Sequence, residues 1–348
     1  MTYEKVIVYY FSGTGNARNA AHWICKVAED KGIPSQMINI DNFTSIDTPD
    51  VVGKTLIGFC YPTHGFNAPP ILLKFVSKFP RCKNVNAFTL NTRAGMKIHK
   101  GFIPGLSGVA QFLPALILKS KGFRIVAMQP LDLPSNWLII HPGLRKPVVD
   151  SIYNRCHGIV NDFASGMLEG ERKYKALISL PIDLIISPIS LGYYLMGRFF
   201  LAKTMIATKD CDSCEKCVSN CPVSAIKIVQ TRPFWTYRCE SCMRCVNICP
   251  QRAIETMHGF TVLMFALSSL VISPTVILLA RYLGVWDLIP GSFIGKNLWS
   301  WGYSFLFLLI FIFCYRGLHF IMRFQIIDWI ITYTSLSNFK FWRRYKAP

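Results

Sequence analysis

The sequence predicts an α/β protein built on a doubly wound parallel sheet, extended by a cysteine-rich unit and two transmembrane helices. Three observations lead there. Short apolar strand candidates alternate with helical patterns through the first half. A block of regularly spaced cysteines is repeated once between Cys211 and Cys249. Two later segments, Phe260–Ala280 and Leu298–Tyr315, hold no charged residue.

The strand candidates are Val6–Phe11, Met37–Ile40, Thr55–Cys60, Asn86–Leu90 and Arg124–Met128. Between them, Asn16–Asp30, Pro69–Lys78 and Ser151–Leu168 carry helical spacing. Alternation of this kind builds parallel sheets covered on both faces, and such sheets bind ligands at the carboxyl ends of their strands. The chemistry is therefore expected in the loops after Phe11, Cys60, Leu90 and Met128.

Composition narrows the class. Hydrophobic residues make up 51% and charged residues 16% of the 348, against about 25% charged in ordinary soluble domains, which points to a membrane portion. A net charge of +19 suits nucleic acid or an anionic membrane surface. No nucleic-acid motif accompanies it, and much of the basic excess adjoins apolar segments, so membrane lipid is the expected partner and nucleic acid is not. The two uncharged segments approach the roughly 20 apolar residues a bilayer-spanning helix needs. Met1 to Phe11 lacks the pattern of a signal peptide, and clustered cysteines read as metal ligands in a reducing compartment. The soluble part is therefore expected in the cytoplasm.

These shifts in composition divide the chain into a sheet domain (1–170), an apolar amphipathic linker (171–207), the cysteine unit (208–258), a transmembrane hairpin (259–323) and a basic, aromatic interfacial tail (324–348). Ala176–Leu201 tempts a third span. Asp183 within it would cost about 2.5–3.5 kcal/mol, and Pro181 and Pro188 interrupt a helix there, so a broken element docked on the membrane or under the cysteine unit is expected. The loop Arg281–Asn297 sets Arg281 and Lys296 against Asp287. The tail sets Arg316, Arg323, Lys340, Arg343, Arg344 and Lys346 against Asp328, which places it on the cytoplasmic side.

The cysteine blocks read Cys211-x-x-Cys214-x-x-Cys217-x-x-x-Cys221-Pro222 and Cys239-x-x-Cys242-x-x-Cys245-x-x-x-Cys249-Pro250. Zinc is the alternative ligand, but its tetrahedral sites take two pairs separated by a longer loop. A helix start is expected after each Cys-Pro, at Val223–Ile228 and Gln251–Glu255. Throughout Lys209–Met257 the stretch resembles bacterial-type two-cluster ferredoxins. The resemblance implies two [4Fe–4S] clusters whose fourth ligands cross: Cys211, Cys214, Cys217 and Cys249 for one, Cys239, Cys242, Cys245 and Cys221 for the other.

Ser12-Gly13-Thr14-Gly15-Asn16 lies between the first strand and first helix, where glycines admit a phosphate and hydroxyls and helix N–H groups bind it. It lacks the lysine of a Walker loop and the third glycine of a dinucleotide site. Across Thr2–Leu168 the chain resembles the flavodoxin family, which implies FMN with its phosphate in this loop. The family's ring-contacting positions would fall at Tyr61, Pro62, Thr63, His64 and Gly65, at Asn91, Thr92, Arg93, Ala94 and Gly95, and in Leu133–Trp137, including Asn136 and Trp137. Trp137 and Tyr61 are the candidates for stacking on the flavin, with ordinary packing as the alternative. Arg93 would set a cation near the ring. His64 is the candidate catalytic residue, as a proton donor to flavin or substrate, against a merely hydrogen-bonded loop histidine. His258 and His319, flanking the apolar helices, are read as interfacial polar residues, with a bis-His haem as the alternative.

Up to about residue 257 the whole resembles bacterial and archaeal fusions of a flavodoxin to a ferredoxin. That implies an electron relay between FMN and clusters at the cytoplasmic membrane face, serving a redox partner protein or quinone. The alternative is a flavin-dependent reductase of an organic substrate. A pocket lined by His64, Phe66, Trp137 and Arg93 would favour the reductase, and an open flavin edge the carrier.

Overall fold

The computed structural model describes residues 3–46, 54–284 and 293–342. Asp287, Arg343, Arg344, Lys346 and the Lys296 side chain, used in the charge count above, lie outside the described residues.

The first domain runs β1 (Lys5–Tyr10), α1 (Asn16–Asp30), β2 (Ser35–Asn39), β3 (Thr55–Pro62), α2 (Pro70–Lys78), β4 (Asn86–Ala94), a hairpin of β5 (Met96–Ile98) and β6 (Gly101–Ile103), α3 (Phe112–Ser120), β7 (Arg124–Leu133), α4 (Lys146–Leu168) and β8 (Lys173–Tyr174). Its sheet has the order β2-β1-β3-β4-β7-β8 with every pairing parallel. Setting the β5–β6 hairpin and the two-residue β8 aside, this is the flavodoxin-like order 2-1-3-4-5, whose switch point lies between β1 and β3.

Strand alternation explains the two cores. In β1, Val6 and Val8 join the core under α1 and α4, while Ile7 and Tyr9 join the core under α2 and α3. Cys25, Cys60 and Cys156 are buried in the former, so they are packing residues. Gly58 of β3 makes room for the Phe88 ring, which a Cβ there would meet at 2.1 Å.

The structure lengthens the expected strands. β3, β4 and β7 continue past Cys60, Leu90 and Met128 because the polar residues beyond them still find ladder partners, Asn91 beside Pro130 and Arg93 beside Asp132. The β5–β6 hairpin and α3 were not expected. α4 begins at Lys146 rather than Ser151, with Pro147 in its first turn.

Helices Lys175–Ile185 and Ser187–Ala202 follow, bent against each other by 76°. Asp183 is 2% exposed. It accepts hydrogen bonds from the amides of Ser107 (3.1 Å) and Gly108 (2.7 Å) and from the Ser179 hydroxyl (2.7 Å), so this charge fastens the first helix to the sheet domain.

In the cysteine unit β9 (Met205–Ala207) pairs with β12 (Ile254–Thr256), and β10 (Ile226–Val229) with β11 (Arg232–Trp235), both antiparallel. The helices expected after each Cys-Pro are absent. Ser224 and Arg252 have positive φ (49° and 53°), which a right-handed helix does not tolerate, and the chain enters a strand instead. Short helices lie inside the motifs, Lys216–Ser219 and Arg244–Ile248.

Two helices, His258–Tyr282 and Asn297–Ile321, are long and apolar enough to cross a membrane, and protein covers only 11% and 28% of their apolar windows. Phe200 packs on Phe311 (4.2 Å) and Phe265 (5.3 Å), tying the preceding helix to both. A last helix, Gln325–Tyr333, turns Ile326, Trp329 and Tyr333 outward. Its buried Asp328 pairs with Arg232 at 2.6 Å.

Candidate functional site

The carboxyl ends of β1, β3, β4 and β7 converge on one cavity of about 300 Å³. Ser12, Gly13, Thr14 and Asn16 line it from the first loop, Pro62, Thr63, His64 and Gly65 from the end of β3, and Thr92, Arg93 and Ala94 from the end of β4. Asn136 and Trp137 close it from beyond β7. The first loop is prebuilt: the Ser12 hydroxyl accepts the Gly15 amide (3.0 Å), and Gly15 holds φ at 106°, a value that favours glycine. The Asn16 side chain braces the walls, donating to the Pro134 carbonyl (2.7 Å) and accepting from the Tyr153 hydroxyl (2.5 Å).

Four expected contacts do not face this cavity. Gly15 serves the turn. Tyr61 is fully buried, its hydroxyl donating to the Ala110 carbonyl (2.9 Å), so it does not stack on a ligand here. Asn91 is consumed by Thr63, Ser107 and Gln111. Gly95 lies against the Asp132 carbonyl, which a Cβ would meet at 2.3 Å. Arg93 lines the cavity without an unbalanced charge, because Asp132 pairs with it at 2.7 Å.

Three wall atoms have no hydrogen-bond partner and are buried: His64 Nδ1 and both amide atoms of Asn136. Unpaired buried polar atoms are costly, and their position here fits a planar ligand with donors and acceptors on its edges, as a flavin has. Trp137 stacks on His64 (centroids 6.2 Å apart, 17°). Burial brings the His64 imidazole down to about 4, so at neutral pH it is uncharged. That disfavours a ready proton donor and leaves a hydrogen-bonding wall residue.

Sequence reasoning missed that the cysteine unit supplies part of this wall. Cys242 and Met243 line the same cavity. A Cβ on Gly13 would meet the Cys242 carbonyl at 2.0 Å, and Trp137 Nε1 donates to the Ser241 carbonyl (2.8 Å). Arg244 binds the Asp41 carboxylate and donates to the Ser12 carbonyl (2.6 Å). Asn42 donates through its amide to Pro222 (2.9 Å) and through its side chain to Cys221 (3.0 Å). No sequence signal marks these pairings, because each joins residues far apart in the chain.

The thiols fall into two groups of four. Cys211, Cys214, Cys217 and Cys249 line one small cavity with Ile228, Pro233 and Ile254. Cys221, Cys239, Cys242 and Cys245 form the other, where burial first and then the neighbouring thiols push Cys239, Cys242 and Cys245 above the ordinary thiol value. Burial pushes Cys217 up to about 11 and Cys242 up to about 12, so bound iron would be needed to hold them as thiolates. Backbone amides already point at sulfur, from Ala225 to Cys221 (3.2 Å) and from Ser241 to Cys239 (3.4 Å). Among the described residues no three His, Cys, Asp or Glu side chains close on a single metal ion. These groups fit a polynuclear cluster, whose thiolates bind separate irons. His258 and His319 are engaged elsewhere, His258 with Leu138 and Leu336 and His319 with Val229. A larger crevice, about 840 Å³, opens beside Cys249 and is flanked by Arg145, Lys146, Arg252 and Lys340.

Residues 202–254 match the 4Fe-4S dicluster domain family. No curated protein of similar sequence was found. Among solved structures, the chain is similar to oxidised flavodoxin 1 from Bacillus cereus at 15% identity, covering 48% of this chain and 98% of that one, with a TM-score of 0.32. A flavodoxin from the domain Archaea matches at 18% identity, 47% and 97% coverage and TM-score 0.30. The flavodiiron protein from Giardia intestinalis matches at 16%, 48% and 37%, and 0.27. The molecule joins a flavodoxin-like fold to a 4Fe–4S dicluster domain and adds two helices able to cross a membrane.

Proposed function

We propose that the chain is a membrane-anchored relay that moves electrons between FMN and two [4Fe–4S] clusters at the cytoplasmic membrane face, serving a redox partner protein or a quinone. One observation carries the reading: Cys242 and Met243 of the cysteine unit line the same cavity as the flavin-type loops. When bound, FMN exchanges electrons singly or in pairs and each cluster exchanges one, so together they join the two regimes. Ser12, Gly13 and Thr14 would hold the FMN phosphate, and Asn136 and His64 would pair with polar edges of its ring. Trp137 fixes the cavity wall to the cluster loop through Ser241. Cys221, Cys239, Cys242 and Cys245 would hold the nearer cluster and Cys211, Cys214, Cys217 and Cys249 the outer one, whose Cys214 is exposed and accessible to a partner.

His64, Phe66, Trp137 and Arg93 all line the cavity, the arrangement that a flavin-dependent reductase of an organic substrate calls for. Its volume of about 300 Å³ sits at the bottom of the roughly 300–1,000 Å³ range of small-ligand sites. That leaves little room for an organic substrate beside a flavin, which favours the relay.

The His258–Tyr282 and Asn297–Ile321 helices would form the anchor. The outward faces of the bent helices and of Gln325–Tyr333 would rest at the headgroups. In intact cells an impermeant thiol reagent should label Leu283→Cys, and should reach Ser120→Cys only after permeabilisation; the reverse pattern would invert the topology. For the relay, anaerobic reduction of the full-length protein in detergent should show the flavin spectrum changing after the cluster spectra. Flavin reduction at an unaltered rate in Cys221→Ser would rule out the cluster-to-flavin path, and turnover of an added organic substrate would favour the reductase.

A further inference from the structure

Lys203 is 1% exposed. Its ammonium group donates to the Trp235 carbonyl and sits over the rings of Phe234 (4.6 Å), Tyr237 (4.8 Å) and Tyr315 (5.0 Å). Among the described residues no carboxylate forms an ion pair with it. Trp235 and Tyr237 lead directly into Cys239, and Trp235 shares one buried core with Cys221, Cys239 and Cys245, so the thiols of this group are the acidic groups nearest to hand. Burying a lone ammonium is expensive, and aromatic faces with a single carbonyl recover only part of that cost. The site needs a negative charge, and the thiol group around Cys239 is where one belongs.

Four thiolates around a [4Fe–4S] core leave a net negative charge, and an added electron makes it larger. A fixed cation beside the core therefore favours the reduced form. Each thiol group has a carboxyl beside it, Glu240 at Cys239 and Asp212 and Glu215 at the other, but the cation lining the other group's cavity, Lys216, is exposed, whereas Lys203 is buried. Resting on the two-cluster reading above, we propose that Lys203 is the buried counter-charge of the cluster held by Cys221, Cys239, Cys242 and Cys245. In that place it raises the reduction potential of this cluster selectively, making it the better acceptor of the two.

The test is an anaerobic potentiometric titration of the full-length protein in detergent, with the two clusters followed by electron paramagnetic resonance and iron measured in parallel. Lys203→Gln keeps a donor for the Trp235 carbonyl but removes the charge. At a fixed potential its reduced-to-oxidised ratio should fall at least tenfold, about 59 mV for a one-electron couple. The shift should be confined to the cluster that Cys221→Ser destroys, and Lys203→Arg should restore the wild-type value. Lys203→Met is a second neutral variant that leaves the aromatic cage filled. Loss of iron from both neutral variants with full loading of Lys203→Arg also supports a required charge. Unchanged potentials, an equal shift in both clusters, or loss of iron from all three variants would reduce Lys203 to a packing role. Wild-type protein devoid of iron would overturn the cluster reading itself, and the proposal with it.

Discussion

The two cysteine blocks share one spacing and one backbone path, with positive φ at equivalent positions: Ser213 and Ser241, Glu215 and Met243, Ser224 and Arg252. Their surroundings differ. Around Cys214 the group is open, with that thiol exposed and Asp212 and Glu215 beside it. Around Cys239 three of four thiols are buried, and Lys203, Arg244 and the flavin-type cavity adjoin. Equal ligand sets thus acquire unequal surroundings: charge, burial and neighbours, rather than the thiols, separate an exposed group from one that adjoins the flavin-type cavity.

The most severe way to break this comparison is ligand removal. Cys221→Ser and Cys214→Ser, though drawn from one block, should each abolish a different cluster, and only the former should uncouple the flavin. Iron analysis with electron paramagnetic resonance decides it, and loss of the same cluster in both would refute the crossed ligation.

Next is Gly13→Ala. The added methyl meets the Cys242 carbonyl, which is backbone and cannot swing aside, so about 3 kcal/mol of stability should go and flavin reduction should slow. Denaturant melts and rapid-mixing kinetics report the two effects. A variant with wild-type values would show that the two loops do not touch.

His64 sharpens the comparison on the buried side. Its folded value of about 4 lies below the ordinary 6.5, so between those values the unfolded state binds the extra proton. Stability from this group is complete above pH 6.5 and declines as pH falls toward 4. At about 1.4 kcal/mol per unit, the wild type should lose about 2 kcal/mol more than His64→Gln between pH 6.5 and roughly pH 5. Parallel melts of the two would show equal losses if the imidazole were exposed.

The smallest effect belongs to the open group. Asp212 accepts the Cys214 amide (3.2 Å) and the Gln251 side chain (3.0 Å) in solvent, where charges are screened. Asp212→Asn should move only the outer cluster, by less than the tenfold expected for Lys203→Gln. An equal or larger shift would erase the distinction between the two environments.

Much of this was legible in the chain itself. Continuous apolar runs specified β1 and β3, because a strand buried on both faces needs apolar residues toward each core, and cysteine spacing specified local loops, because two-residue gaps leave the backbone little choice. The first loop was readable for the same local reason. Tyr61, Asn91 and Gly95 misled because their strands continue past the apolar residues, and ladder pairing rather than side-chain type decides where a strand ends. The helices expected after Cys-Pro failed on backbone handedness at Ser224 and Arg252. What only the tertiary structure decided is which cysteine block meets the flavin-type cavity, and that Lys203 lies beside it. Those contacts join residues from distant parts of the chain, and their partners are chosen by shape and charge once the domains pack, which no local pattern encodes.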